Sequence, residues 1–282
     1  MGNIIGVDLG GTSIKAGRIE NGKILKTGNI GTQAAYGGDT TLELIEDLIS
    51  GLLTGDTEAI GIGVPSIVDR KLGIVYNVQN IAGWNEVHLK SILEKKFGIP
   101  VYIDNDANCF AYGEKIYGKG KDLSDFVGVT LGTGVGAGII KDGKLMPDEN
   151  CGSGEFGEIP YKDSKLEDYC GSRFFGSSVF GSGYDMALKA RSGDKTAIDL
   201  FNEYGKHLAY LVKLIVLILD PQAIIFGGSI SKSFDLYKDS IYRNLDGFPY
   251  PKSIEKLKIL VSEQYNSGIT GAGSLCISQP VH

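Results

Sequence analysis

Residues 6–25 read GVDLGGTSIKAGRIENGKIL, and residues 128–145 read GVTLGTGVGAGIIKDGKL. Both stretches contain a Gly-Val-x-Leu-Gly strand, a turn of Thr and Gly, a second apolar strand and an x-Gly-Lys turn. Up to the Lys of that last turn, the second copy is one residue shorter than the first. Repeats this far apart do not fit a solenoid, whose period is a few tens of residues. They indicate two halves that share one ancestral hairpin, and we expect the functional site in the cleft between the halves.

The composition is that of a globular protein with an excess of turns. Of the 282 residues, 42% are hydrophobic and 22% are charged, and the 41 glycines are about twice the usual share. This length suits one large domain or two ordinary ones, and we expect two. The net charge of -6 gives no electrostatic reason for nucleic-acid binding, so we expect no nucleic-acid partner.

Three features predict a cytoplasmic protein without a membrane segment. The N-terminus runs directly into a strand with no signal-peptide pattern, and the longest apolar run, residues 208–219, is interrupted by Lys213 and is too short to cross a bilayer. The four cysteines lie far apart and form no C-x-x-C pair, which is typical of reduced thiols in the cytosol.

Apolar periodicity predicts an α/β protein. The predicted strands cover residues 4–9, 14–19, 23–29, 59–64, 101–103, 223–226 and 257–261. The predicted helices cover residues 40–53, 86–97, 107–117, 178–191 and 194–219, with a terminal helix near Gly268, and residues 151–170 are predicted to be a loop. We expect a smaller N-terminal domain over residues 1–115, joined by the C-terminal helix 270–282, and a larger domain over residues 116–269.

The Gly132-Thr133-Gly134 turn resembles the start of a dinucleotide fingerprint, but that motif requires a helix next, and here a strand follows. The glycines instead allow backbone amides to approach an anionic ligand in a strand-turn-strand. A tight turn without a ligand is the alternative, and the recurrence of the pattern at residues 10–12 argues against it.

Asp8 distinguishes the first copy of the repeat from the second, which has Thr130 in its place. A buried strand acid facing a phosphate-binding turn is well placed to hold Mg²⁺ directly or through water. Thr12 adds a hydroxyl and Lys15 a cation to the same turn, although Lys15 can equally be a surface residue.

Five motifs together resemble the ROK (repressor, ORF, kinase) sugar kinases, in order and over almost the whole chain. The motifs are Val7-Asp8-Leu9-Gly10-Gly11-Thr12, Asn80 with Gly83-Trp84-Asn85, Asn105-Asp106-Ala107-Asn108, Leu131-Gly132-Thr133-Gly134-Val135-Gly136 and Gly154-Glu155-Phe156-Gly157. The resemblance implies an actin/hexokinase-like fold, which is a duplicated ribonuclease-H-like two-domain fold with a central cleft. It also implies transfer of a phosphoryl group from MgATP to a sugar hydroxyl, commonly the 6-hydroxyl.

The resemblance assigns roles to individual residues. It implies that Asp106 is the general base, which accepts the proton of the attacking sugar hydroxyl. Asn80, Asn105 and Glu155 match the family's sugar-contacting positions, and we expect Ser66 and Glu158 to contact the sugar as well. Gly227 and Gly228 match the family's loops around adenosine. With them we expect the residues of the two repeated turns to form the ATP site, with Asp8 as the Mg²⁺ residue: Asp8, Gly10, Gly11, Thr12, Lys15, Gly132, Thr133 and Gly134.

The chain departs from the family pattern in the segment that usually binds a structural zinc. The family has His directly after Gly-Glu-Phe-Gly and then a C-x-C-G-x-x-G-C segment, whereas here Glu158 replaces the His and only Cys170-Gly171-Ser172-Arg173 remains. We therefore expect no zinc site and no His nearby, with Phe156, Tyr169, Phe174 and Phe175 packing the loop instead.

The family also has a sugar-contacting Glu just beyond this segment, and this chain has no Glu within the following ten residues. The missing Glu, together with Ser66 and Ile67 after Pro65, leaves the expected pocket less crowded by charge, so it can admit an N-acetyl group. We therefore expect N-acetylmannosamine as the substrate. Glu158 is then expected to accept the hydrogen bond from the sugar that the family's His makes. Glucose and β-glucosides are the alternative substrates, and a sugar-binding protein without turnover is the alternative of another class. A homodimer is implied by the resemblance.

Overall fold

The computed structural model describes residues 2–10, 13–31, 37–78, 81–176 and 182–278. Contacts divide the chain into two units. The first unit comprises Met1–Lys121, Leu145–Ser153 and Gln264–His282, and the second comprises Asp122–Lys144 and Gly154–Glu263. The C-terminal segment therefore packs with the N-terminal residues, and so does the segment at residues 145–153.

The strands in chain order are β1 Asn3–Leu9, β2 Ser13–Glu20, β3 Lys23–Gly31, β4 Thr57–Val64, β5 Ile67–Asp69, β6 Ile74–Tyr76, β7 Glu86–Val87, β8 Val101–Asn105, β9 Phe126–Leu131, β10 Val135–Lys141, β11 Lys144–Leu145, β12 Pro160–Tyr161, β13 Ser164–Lys165, β14 Ala223–Gly227 and β15 Lys258–Val261. The helices are α1 Gly38–Ser50, α2 Leu89–Phe97, α3 Asp106–Tyr117, α4 Leu166–Cys170, α5 Arg173–Gly176, α6 Gly183–Arg191, α7 Lys195–Leu219, α8 Phe234–Leu245, α9 Pro251–Lys256 and α10 Ser267–Ser278.

The two large sheets have the same topology. Their strand orders are β3-β2-β1-β4-β8 and β11-β10-β9-β14-β15. In each sheet the first hairpin is antiparallel, and the next two strands join it in parallel. The registers also agree, because Gly6 pairs with Gly17 in β1–β2 and Gly128 pairs with Gly138 in β9–β10. The repeated sequence pattern thus forms the same part of each sheet.

The two faces of the first sheet pack differently because successive strand residues point to opposite sides. Ile5, Val7 and Leu9 of β1 belong to a buried apolar cluster that includes residues of α1 and α2. The opposite face receives α10, and its strands carry glycines there. A Cβ on Gly6 would lie 2.1 Å from the carbonyl oxygen of Ile269, and one on Gly61 would lie 1.9 Å from that of Ala272. These glycines allow the backbone of α10 to contact the sheet.

Several element predictions need correction. Glu86–Val87 is a strand paired with β6 rather than the start of α2, which begins at Leu89. Residues 151–170 are not only loop, because they contain the β12–β13 hairpin and helix α4. Helix α1 begins at Gly38 after an N-cap at Gly37, so Thr40 and Thr41 are not its cap. Helices α8 and α9 had no counterpart in the prediction.

The long helix α7 lies in the second unit, where Asp194 caps its N-terminus and accepts a hydrogen bond from Ala197 N at 2.9 Å. Its C-terminus is Leu219, and Asp220 follows in the left-handed conformation with φ of 42°, directly before Pro221. Helix α6 begins at Gly183 with a capping box of Ser182 and Asp185. The predicted start of this helix at residue 178 falls outside the described residues.

Candidate active site

The first site region is the junction between strand β8 and helix α3. Asn105 ends the strand and caps the helix, with its side-chain oxygen accepting a hydrogen bond from Ala107 N at 2.8 Å. Its amide nitrogen donates to the carbonyl oxygen of Ser66 at 3.1 Å. Asp106 is the first helical residue and is partly buried. The strand end therefore presents a carboxylate at the helix N-terminus, where the helix dipole stabilises the ionised form.

Asp104 is a site residue that the sequence analysis missed. It is 2% exposed, and its Oδ1 accepts hydrogen bonds from Asn105 N and Asn108 Nδ2, both at 2.8 Å. Arg70 Nη1 lies 3.6 Å from Asp104 Oδ2. Burial raises the pKa of Asp104 to about 6, although Arg70 and the two hydrogen bonds act in the opposite direction. Its only sequence signal was an acid directly after the predicted strand 101–103.

Asp104 links the β8–α3 junction to two other segments of the first unit. Arg70 follows β5, and its Nη2 donates to the carbonyl oxygen of Met146 at 2.9 Å.

The Ser66 hydroxyl donates to the carbonyl oxygen of Tyr76, so its one proton is used within the protein. In its predicted contact with the sugar, the Ser66 side chain can therefore only accept a hydrogen bond through its oxygen.

Asp8 lies at the same sheet edge. In the strand register Gly63 pairs with Asp8 on one side and with Asp104 on the other. The Asp8 carboxylate contacts the start of α10, since a Cβ on Gly268 would lie 2.2 Å from Asp8 Oδ2. Burial raises the pKa of Asp8, and the Lys15 ammonium partly opposes that shift. Lys15 is the cross-strand partner of Asp8 and is exposed.

This donor set fits Mg²⁺ bound through phosphates. Mg²⁺ commonly keeps several waters and binds to protein through one or two carboxylates. Asp8 supplies one carboxylate, and its burial disfavours the charged form unless a cation is present. Gly10 N donates to the carbonyl oxygen of Ser13 at 2.9 Å, which closes part of the neighbouring turn. Gly11, Thr12 and Asn80 lie outside the described residues.

The second site region is the 132–134 turn between β9 and β10 of the second unit. Gly132 N donates to the carbonyl oxygen of Gly134 at 3.1 Å, which makes the turn tight. The loop after β14 lies beside it, since Gly227 pairs with Thr130 and a Cβ on Gly228 would lie 2.3 Å from the carbonyl oxygen of Leu131. Gly228 has φ of 84°, a conformation that favours glycine. The glycines that the sequence assigned to ATP on this unit therefore share one sheet edge.

Glu155 precedes a single 3₁₀ turn, Phe156–Glu158, and Glu158 is its last residue. The Glu158 side chain is 59% exposed, and its Oε1 lies 2.5 Å from Lys165 Nζ. The sequence prediction gave Glu158 a sugar contact only, so its ion pair with Lys165 is an addition from the structure.

The segment that resembles the zinc motif is held by aromatic packing. Tyr169 and Phe174 pack against His207, with ring centroids 5.0 and 5.4 Å apart. The expectation of no His nearby is therefore wrong, because α7 brings His207 to this segment from 37 residues beyond Cys170 in sequence. Burial lowers the pKa of His207 to about 4 and raises that of Cys170 to about 12. Both groups are thus uncharged near neutral pH.

Within residues 2–10, 13–31, 37–78, 81–176 and 182–278, no three His, Cys, Asp or Glu side chains are grouped to hold a metal ion. In the same part of the chain, no helix combines the length and the hydropathy needed to cross a membrane. The expectation of no zinc remains a prediction.

Comparisons with known proteins agree with this fold. The ROK family profile matches residues 4–174 and 182–279. A glucokinase from Thermotoga maritima is 29% identical, with 96% of each chain covered. The crystal structure of a ROK family glucokinase from Streptomyces griseus, in complex with glucose and AMPPNP, is 30% identical, has a TM-score of 0.83 and covers 97% of this chain and 99% of its own. A candidate N-acetylmannosamine kinase from Listeria monocytogenes is 25% identical, with 98% of each chain covered and a TM-score of 0.83.

The duplicated sheet topology and these structural matches define an actin/hexokinase-like fold. The chain belongs to the ROK family.

Proposed function

We propose that this protein is an ATP-dependent sugar kinase that phosphorylates the 6-hydroxyl of a hexose or an N-acetylhexosamine. The observation that carries the proposal is the β8–α3 junction, where Asp106 begins a helix directly after a parallel strand and beside the capping residue Asn105. Family membership and the nucleotide complex of the S. griseus glucokinase support the same reaction class. Cytoplasmic location goes with this reaction, because ATP is its phosphoryl donor.

In this mechanism Asp106 accepts the proton of the sugar hydroxyl as the oxygen attacks the γ-phosphorus, while the bond from that phosphorus to the β,γ-bridging oxygen breaks and ADP leaves. Asn105 orients the sugar, and Glu155 together with Asn80 contacts its other hydroxyls. The glycines at residues 132–134 and 227–228 allow close approach of backbone amides to the nucleotide. Mg²⁺, held by Asp8 directly or through water, would neutralise charge that develops on the phosphoryl oxygens.

N-Acetylmannosamine is our first candidate substrate. The structural match to the L. monocytogenes protein supports it, and so does the small Ser66 side chain at the predicted sugar pocket. Glucose is the second candidate, favoured by the glucokinases from T. maritima and S. griseus. The Glu158 carboxylate, which we expect to accept a hydrogen bond from the sugar, also pairs with Lys165.

A coupled assay of ADP release tests both levels of the proposal. Purified protein with MgATP is assayed against N-acetylmannosamine, glucose, N-acetylglucosamine and cellobiose, and the position of the phosphate is read by NMR. We expect turnover on at least one sugar and the highest kcat/KM on N-acetylmannosamine. A higher kcat/KM on glucose would replace the substrate and keep the kinase, whereas sugar binding without any turnover would support the non-catalytic alternative.

The general-base assignment is tested by Asp106→Asn, which keeps the shape of the side chain and removes the proton acceptor. We expect kcat to fall by about 10² to 10⁴, with sugar affinity largely retained. Asp235→Asn is the matched control, since Asp235 also lies in the first turn of a helix and pairs with Arg191 at 2.9 Å. Retention of more than about a tenth of wild-type kcat in Asp106→Asn would rule out this base.

We also propose a homodimer. Helix α7 carries three exposed apolar side chains near its C-terminal half, and such a patch is typical of an interaction surface. They are Tyr210, Leu217 and Ile218, with exposed fractions of 39%, 55% and 61%. Light scattering of the wild type and of Leu217→Lys tests this, and a monomeric wild type would contradict it.

A further inference from the structure

The 132–134 turn is in contact with a segment of the second unit that follows it by more than 30 residues. The carbonyl oxygen of Gly132 accepts a hydrogen bond from Ser172 N at 2.8 Å. Gly171 lies against Thr133, since a Cβ on Gly171 would be 2.8 Å from the Thr133 carbonyl oxygen. The residues after α4 therefore fix the carbonyl groups of this turn.

The Glu167 side chain makes the third contact with the turn. Its Oε2 accepts a hydrogen bond from Val135 N at 3.3 Å. A Cβ on Gly134 would lie 2.3 Å from the same oxygen, so the carboxylate fills the space beside that glycine. The Glu167 side chain is 20% exposed. The Glu167 side chain thus contacts the last residue of the turn, Gly134, and the first residue of β10, Val135.

Two cations neutralise this carboxylate. Lys165 Nζ lies 3.5 Å and Arg173 Nη1 lies 3.7 Å from Glu167 Oε1. Each cation has a further acidic partner, Glu158 for Lys165 at 2.5 Å and Asp168 for Arg173 at 2.9 Å. An unpaired acid next to a phosphate-binding turn would repel its ligand, and these ion pairs reduce that repulsion.

We infer that Glu167 is a positioning residue that holds the 132–134 turn in the conformation that receives the phosphates of the nucleotide. The inference rests on the proposed function. Glu167 acts through Val135 N and Gly134 rather than by contact with the reacting atoms. Its effect is therefore larger on nucleotide binding than on sugar binding, which it reaches only through Lys165, shared with Glu158.

The test compares Glu167→Ala with Glu167→Gln. We measure KM for MgATP and for the sugar, together with the affinity for MgADP by calorimetry. Glu167→Ala should raise KM for MgATP about tenfold, as expected for loss of a hydrogen bond to a charged group. Glu167→Gln keeps an acceptor for Val135 N and should raise it only about threefold. The control is Glu255→Gln, which removes the exposed Lys252 pair of the same unit.

A double substitution adds a test that general destabilisation does not mimic. Gly134→Ala would place a methyl group against the Glu167 carboxylate and should raise KM for MgATP. In the Glu167→Ala background the space is open, so the added effect of Gly134→Ala should fall below about twofold.

Three results would contradict the inference. A lower KM for MgATP in Glu167→Ala would mean that the carboxylate repels the nucleotide. Equal increases in both KM values, with a lower melting temperature, would mean a general structural role. If the wild type binds MgADP and Glu167→Ala binds it with the same affinity, the inference about Glu167 is wrong and the proposed function stands. If the wild type itself does not bind MgADP, the proposed function is wrong.

Discussion

Asp104 is expected to make the free energy of unfolding depend on pH, and Asp104→Asn should remove that dependence. Burial raises the pKa of this carboxyl from 3.8 to about 6 in the native protein. A shift of about two pKa units corresponds to about 3 kcal/mol. The native state binds the proton more tightly than the unfolded chain does. The corresponding stabilisation is therefore fully present below about pH 4 and is lost as the pH rises through about 6.

The groups around Asp104 explain the sign. The Asp104 carboxylate is only 2% exposed, and its desolvation raises the pKa. Attraction by the partly exposed Arg70 and the hydrogen bonds from Asn105 N and Asn108 lower the pKa by a smaller amount. Asp148 raises the pKa further by repulsion. Charge on Asp104 is therefore unfavourable for folding even though an ion pair is formed.

Urea unfolding of the wild type and Asp104→Asn between about pH 4 and pH 8 measures this effect, because the other titrating groups cancel in the comparison. The variant-minus-wild-type difference in the free energy of unfolding should rise by about 2 kcal/mol over this range. Asp56→Asn is the control, because hydrogen bonds from Thr54 and Asn3 lower the pKa of Asp56 below 3.8, so its titration falls below this pH range and the difference should stay nearly flat. A difference for Asp104→Asn that is flat or falls with pH would refute the reasoning.

Four further predictions concern the metal ion, the sugar and the packing of α10. Asp8→Ala should weaken Mg²⁺ dependence more than sugar binding, and an unchanged Mg²⁺ titration would remove Asp8 from the metal site. Elemental analysis should find no stoichiometric zinc, whereas one zinc per chain whose chelation lowers the melting temperature would contradict the expected aromatic packing. Glu158→Gln should raise the sugar KM more than it lowers kcat, and an unchanged KM would leave Glu158 only its ion pair with Lys165. Gly61→Ala should lower the free energy of unfolding by about 1–3 kcal/mol, because the new methyl group would collide with the Ala272 carbonyl. Gly55→Ala is the control, because a Cβ there has nothing within 4 Å, and equal stability of the two variants would contradict the close contact at Gly61.

The sequence by itself determined the duplicated architecture and the main elements of each half. Period-two and period-3.6 patterns reflect which side of a strand or helix is buried, so β1, β4, α3 and α7 could be predicted from local residues. The repeat at residues 6–25 and 128–145 predicted equivalent hairpins, and the Gly6–Gly17 and Gly128–Gly138 registers agree with it.

Only the tertiary structure decided the contacts that join distant residues. Nothing in the local sequence indicates that Asp104 contacts Arg70 and Asn108. Glu167 lies in a segment predicted to be a loop, and only the structure shows that it belongs to α4 and lies against Gly134. His207 was missed for the same reason, since α7 carries it to Tyr169 from a distant part of the chain. Such contacts depend on how helices and strands pack in space, and the periodicity of residues along the chain carries no information about that packing.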